Sequence, residues 1–226
     1  MNLPNKLTIL RIILVPVMVV IAMFDIPGDF LGIPTTFLIL NLIFIIASIT
    51  DNLDGKIARK NNLVTTFGKF ADPLADKILV LAAMMILVEA GIIPAWIPIV
   101  TIIREFIVSG YRLIVVEKGG QVIAANIWGK LKTITQIIAI ILAFISVDAN
   151  GIHPFGEILK GTLIGIPFTI NLAMTVFMAL SVVAAIFSGV EYLKGSKDLF
   201  KSEWKLTTQY TNFDSLNINI RGVNFE

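Results

Sequence analysis

The stretch DNLDGKIARKNNLVTTFGKFADPLADK, residues 51–77, carries four aspartates inside an otherwise apolar chain. Asp51 and Asp54 are three positions apart and Asp72 and Asp76 four apart, so each pair shares one face of a helix. Gly55 and Ala58 lie on the face of the first pair, and Gly68 precedes Asp72 by one turn. Apolar runs flank the stretch on both sides, so it reads as the junction between two long helices. If the preceding helix begins near residue 35, Asp51 arrives about 24 Å along it at ~1.5 Å per residue. That is the far edge of a hydrocarbon layer ~30 Å thick, and the next helix starts from the same edge. All four carboxylates are therefore expected at one depth.

The rest of the chain supplies the membrane. Of 226 residues 56% are hydrophobic and only 15% charged, with a mean hydropathy of +0.87. Soluble domains lie nearer ~45–50% and ~25%, so the pattern predicts a bilayer as solvent. Spans are expected near 7–25, 35–58, 70–90, 94–117, 128–147 and 168–193, giving an all-α polytopic protein. Arg11 inside the first run, and no small-residue cleavage site after Phe24, read as an uncleaved first span. Basic residues gather before span one, between spans two and three, between four and five, and after six. The connections at 26–34, 90–94 and 148–167 hold one basic residue between them, Lys160. The positive-inside bias then puts both termini in the cytoplasm.

Four carboxylates in a poorly hydrated place must be protonated or neutralised by cations. The chain has no cysteine, and its one histidine, His153, falls in a connection predicted on the opposite side. An all-oxygen ligand set favours Mg²⁺ or Mn²⁺ over zinc. Two divalent ions would balance the four carboxylates and still attract a pyrophosphate. Arg59 is placed to meet a phosphate, and Gly55, Ala58 and Gly68 permit close approach of a nucleotide. Simpler readings of the parts stand beside this one. Asp72 before Pro73 has the form of an N-cap followed by proline at the first helical position. Asp51 and Asp54 have the form of solvated residues at a helix end, and Gly55 with Ala58 that of a small-residue packing face.

Together, Asp51, Asp54, Gly55, Ala58, Arg59, Gly68, Asp72 and Asp76 fit D-x2-D-G-x2-A-R-x8-G-x3-D-x3-D at every spacing. The chain thereby resembles the CDP-alcohol phosphatidyltransferases over about residues 1–201. The resemblance implies a six-helix membrane enzyme, usually a homodimer, that displaces CMP from a CDP-linked lipid with an alcohol. It implies that Asp51, Asp54, Asp72 and Asp76 hold two metal ions, Mg²⁺ or Mn²⁺, with Asp76 also the general base. It implies that Gly55, Ala58, Arg59 and Gly68 line the CDP site. The segments NLPNKLTILRI (2–12), IIREFIVSGYRL (102–113) and GKLKTITQ (129–136) resemble bacterial members whose acceptor is sn-glycerol 3-phosphate. CDP-diacylglycerol is then the donor, and the expected location is the bacterial cytoplasmic membrane with the site facing the cytoplasm.

Arg104, inside span four, would be costly there without an anion. With Arg112 and Lys130 it is a candidate to bind the acceptor's phosphate, although Arg104 could instead pair with a core carboxylate. Other acceptors in the same class are serine, inositol phosphate and phosphatidylglycerol. A cation transporter would also bury carboxylates, but should show repeats and helices interrupted near the midplane; the sequence shows no repeat, and its acids cluster at one membrane face. No nucleic-acid partner is expected. The polar, asparagine-rich tail 202–226 does not match the family's pattern.

Overall fold

A computed structural model of the chain describes residues 3–60, 66–117, 127–146 and 166–195. These residues form six helices and one small hairpin. The helices are α1 (Leu3–Ala22), α2 (Thr35–Lys60), α3 (Thr66–Glu89), α4 (Trp96–Glu117), α5 (Ile127–Ile145) and α6 (Ile166–Gly195). The segment 148–165 and the tail 202–226 lie outside the described residues.

Three stretches, Asn5–Ala22, Ile127–Ile145 and Phe168–Lys194, are long and apolar enough to cross a membrane. Thr35–Asp51 is a shorter apolar stretch of α2. α3 and α4 are interrupted by charge: Asp72, Asp76 and Lys77 on one, Arg104, Glu105 and Arg112 on the other. Large apolar side chains point outward along the helices, among them Ile13, Val20, Met85, Ile103, Phe106 and Val176. Small ones are enclosed: Ala47, Ala71, Ala75, Ala83, Ala139, Ala143, Ala184 and Ala185 are all buried. Buried alanines allow the close backbone approach by which helices associate in lipid, and large apolar side chains on the outside suit a lipid surround.

α5 and α6 pack along their length, α1 lies against both α2 and α3, and α4 leans on α6. Phe44 and Phe37 meet Phe144 of α5 with ring centroids 6.4 and 6.1 Å apart, closing the core between α2 and α5. Leu79, Met84 and Leu87 of α3 and Met174 and Met178 of α6 complete it.

The turns follow local rules. Gly91, at φ +73°, ends α3: the Ile92 amide donates to the Leu87 carbonyl and the Gly91 amide to that of Val88. This is a Schellman closure, which needs a left-handed residue at that position. Between α1 and α2, Asp29–Phe30 pairs antiparallel with Ile33–Pro34 around Leu31–Gly32, both at positive φ. That hairpin falls where the sequence reads only as a connection.

One local reading is overturned. α3 begins at Thr66 and runs unbroken through Pro73, so Asp72 lies six residues inside the helix and is not its N-cap. Pro73 therefore also lies inside the helix, where it removes one backbone donor from the ladder.

Candidate functional site

Asp51 sits in the C-terminal half of α2, and Asp72 and Asp76 in the first half of α3. The backbone at Asp54, Gly55, Ala58 and Arg59 is helical, continuing α2 to Lys60, and their side chains lie outside the described residues. Gly68 is buried near the start of α3. Asp51, Asp72 and Asp76 are all half-buried. Asp76 lies within the electrostatic field of Asp51, and also of Arg11, Lys132 and Glu105.

The third wall of this site is α1. Asn5, Thr8 and Arg11 recur every three residues and form a buried polar stripe, which Val15 and Met18 continue as an apolar one. The Thr8 hydroxyl donates to Asp72 Oδ1, and Arg11 Nη1 donates to Asp51 Oδ1. α1 thus reaches one carboxylate on each of the two helices that carry the aspartates. Arg11 is fully enclosed, so its charge is held in place by Asp51 and not by solvent. The contact is not apparent in the sequence, where Arg11 reads as a basic residue of an uncleaved first span. The signal that would have found it is the three-residue spacing of polar side chains within an apolar helix.

A second charged group lies beside the first. Glu105 Oε1 accepts from Arg104 Nη1 at 2.7 Å and from Lys132 Nζ at 2.9 Å. Its Oε2 lies 3.7 Å from Lys77 Nζ, and Lys77 also donates to the Ser109 hydroxyl. Arg104 Nη2 donates to Ser188 Oγ of α6 at 2.7 Å. The three cations expected at the acceptor phosphate are therefore disposed differently. Arg104 is held by Glu105 and Ser188. Arg112 donates to the Tyr192 hydroxyl at 3.0 Å, its guanidinium 5.7 Å from that ring's centre. Lys130 is exposed. Lys132, two residues on, is the lysine of α5 that turns inward and is buried.

Two glycines make room for Arg104. A Cβ on Gly129 would stand 3.2 Å from Arg104 Nη2, and one on Gly189 3.6 Å from its Cγ. Gly110 of α4, by contrast, has open space where a Cβ would go. Alanine ordinarily gains up to ~1 kcal/mol over glycine inside a helix. Gly110→Ala is expected to hold or raise the melting temperature in detergent. Gly129→Ala is expected to lower it, because Arg104 is pinned at both ends and cannot yield. Equal shifts for the two variants would show that the Arg104 contact carries no strain.

Among the described residues, which exclude the Asp54 side chain, no three acidic or histidine side chains converge closely enough to hold a metal. The donor chemistry nevertheless fits a hard cation. Asp51 and Asp76 are half-buried within each other's field, every donor is oxygen, and the chain has no cysteine.

Three helices of membrane-crossing length, with carboxylates on the neighbouring α2 and α3 and a cation cluster alongside, make a site whose chemistry suits a phosphate-handling protein next to lipid. The family model described as CDP-alcohol phosphatidyltransferase matches residues 1–187, and the chain belongs to that family. It is 46% identical over 208 residues to the CDP-diacylglycerol–glycerol-3-phosphate 3-phosphatidyltransferase of Bacillus subtilis (strain 168), covering 89% of this chain and 98% of that protein. A Haemophilus influenzae protein of the same name is 42% identical over 145 residues, 62% of this chain and 73% of its own length. A probable phosphatidylglycerophosphate synthase of Mycobacterium tuberculosis (strain ATCC 25618 / H37Rv) is 35% identical over 192 residues, 85% and 80% of the two chains.

Proposed function

We propose that this chain transfers the phosphatidyl group of CDP-diacylglycerol to sn-glycerol 3-phosphate, releasing CMP and forming phosphatidylglycerophosphate. The observation that carries the reading is the intact aspartate signature on α2 and α3. It stands in a chain 46% identical, over nearly the whole length of the relative, to a protein named for this reaction.

In this reading Asp76 accepts the proton of the acceptor hydroxyl as its oxygen attacks the phosphatidyl phosphorus and the bond to CMP breaks. Asp51, Asp54, Asp72 and Asp76 would hold two divalent cations, Mg²⁺ or Mn²⁺. Bound there, the cations would neutralise the pyrophosphate and the departing CMP. Gly55, Ala58, Arg59 and Gly68 line the CDP site. Thr8 and Arg11 orient Asp72 and Asp51, which limits the search of those side chains before substrate arrives. The acceptor's phosphate lies among Arg104, Arg112 and Lys130, with Lys77 and Lys132 added to that group.

The distribution of basic residues supports six spans with both termini cytoplasmic, and hence a site on the cytoplasmic face of the bacterial membrane. A homodimer is proposed on family grounds. Residues 1–201 are taken as the membrane domain and 202–226 as a separate polar tail.

The test is CMP release from CDP-diacylglycerol by purified protein with Mg²⁺ or Mn²⁺ and a panel of alcohols. Glycerol 3-phosphate is expected to be used well, and glycerol and serine poorly. Arg112→Ala or Lys130→Ala should raise the KM for glycerol 3-phosphate and leave that for CDP-diacylglycerol nearly unchanged. One charge-assisted contact is worth ~1.5–3 kcal/mol, roughly ten- to a hundredfold in kcat/KM. Efficient use of serine would leave the reaction class standing and remove this acceptor.

A further inference from the structure

Glu105 is a carboxylate in the middle of α4, only 21% of its side chain exposed, where an unpaired charge would be expensive. Both of its oxygens face cations: Arg104 and Lys132 on Oε1, and Lys77 on Oε2. These three come from α4, α5 and α3, so a single carboxylate ties three helices together. Arg104 is itself fixed from α6 by Ser188, and Gly129 leaves it no slack. The chain of contacts therefore runs from Ser188 through Arg104 and Glu105 to Lys132, whose charge reaches Asp76.

Three cations on one carboxylate leave two positive charges in excess within this group. That excess suits a phosphate monoester, which carries about −1.5 to −2 at neutral pH. Glu105 cannot itself contact such an anion without repulsion. Its use lies in the lysines. A lysine side chain has much rotamer freedom to lose when it is fixed. Lysines held in place before the anion arrives leave less to be lost on binding.

We infer that Glu105 is a positioning residue for the acceptor: anchored by Arg104 and Ser188, it holds Lys132 and Lys77 beside Asp76 to receive the acceptor's phosphate. The inference rests on the proposed transfer to a phosphate-bearing alcohol. It adds a residue that never touches substrate yet sets the affinity for it.

The test uses the full chain in mixed micelles with CDP-diacylglycerol and the required divalent cation. Glu105→Gln keeps the size of the side chain and removes its charge. It is expected to raise the KM for sn-glycerol 3-phosphate at least tenfold, and to weaken inhibition by inorganic phosphate in parallel. The KM for CDP-diacylglycerol should stay within about twofold. Glu105→Asp should recover part of the loss, and Ser188→Ala, one contact further away, should cause a smaller rise of the same kind. A purely structural role would depress kcat and disturb both KM values together. Unchanged KM for glycerol 3-phosphate and unchanged phosphate inhibition in Glu105→Gln overturn the inference. If that variant does not fold, Glu105→Asp and Ser188→Ala decide it, and parent-like values in both overturn it equally. A parent protein that releases no CMP with any phosphate-bearing acceptor removes the proposed function and this inference together. A parent that does so, with insensitive Glu105 variants, removes the inference alone.

Discussion

Asp76→Asn is expected to turn over at least ~10²–10⁴-fold more slowly than the parent, the range typical for losing a general base alone. The loss should be greater if the same oxygen set also binds a cation. Stability should hardly change. Burial disfavours the Asp76 charge, and Asp51 and Glu105 repel it, while Lys132 and Arg11 attract it, so removing the charge should not lower stability. The melting temperature should correspond to a shift within about 1 kcal/mol. Binding of CDP-diacylglycerol should persist, because the nucleotide side of the site is assigned to other residues. Asp54→Asn should behave differently, weakening cation and nucleotide binding together. Single-turnover CMP release, with a separate measurement of donor binding, distinguishes the two variants. Near-normal turnover in a folded Asp76→Asn would take that residue out of the reaction.

Chelation is expected to have the other large effect. EDTA should abolish CMP release, and Mg²⁺ or Mn²⁺ should restore it. The ligands offered are carboxylate oxygens without a thiolate among them, so zinc should restore little. Arg11 neutralises Asp51 in part, but Asp76 remains within reach of that charge. A cation should therefore also stabilise the fold, by an amount that grows with its concentration above the dissociation constant. A thermal shift with Mg²⁺ or Mn²⁺ alone, without lipid substrate, reads this independently of turnover. Full activity in thoroughly chelated protein would falsify the two-metal reading.

Much of the architecture is local and was therefore legible. Each described helix falls within a few residues of an expected one, because helix position is a property of contiguous sequence; three of the six carry an apolar run long enough to cross a membrane. The aspartate pairs are equally local, since a spacing of three or four fixes a shared helix face wherever the helix goes. Local signals also misled. The dipeptide Asp72–Pro73 has the form of a helix start, yet α3 begins six residues earlier, at Thr66.

The partners of the site were decided only by tertiary structure. Thr8 meets Asp72 across 64 residues and Arg11 meets Asp51 across 40. Lys132 meets Glu105 across 27, and Arg104 meets Ser188 across 84. Nothing in the segment GKLKT says which lysine turns inward; the angle at which α5 lies against its neighbours buries Lys132 and leaves Lys130 exposed. Sequence period fixes which residues share a face of one helix. It does not fix which face of another helix that surface meets, because this depends on the rotation and depth of both helices after packing. The sequence by itself thus determined where the helices and the carboxylates lie along the chain. The structure alone determined that α1 supplies their anchors and that Glu105 gathers the cations beside them.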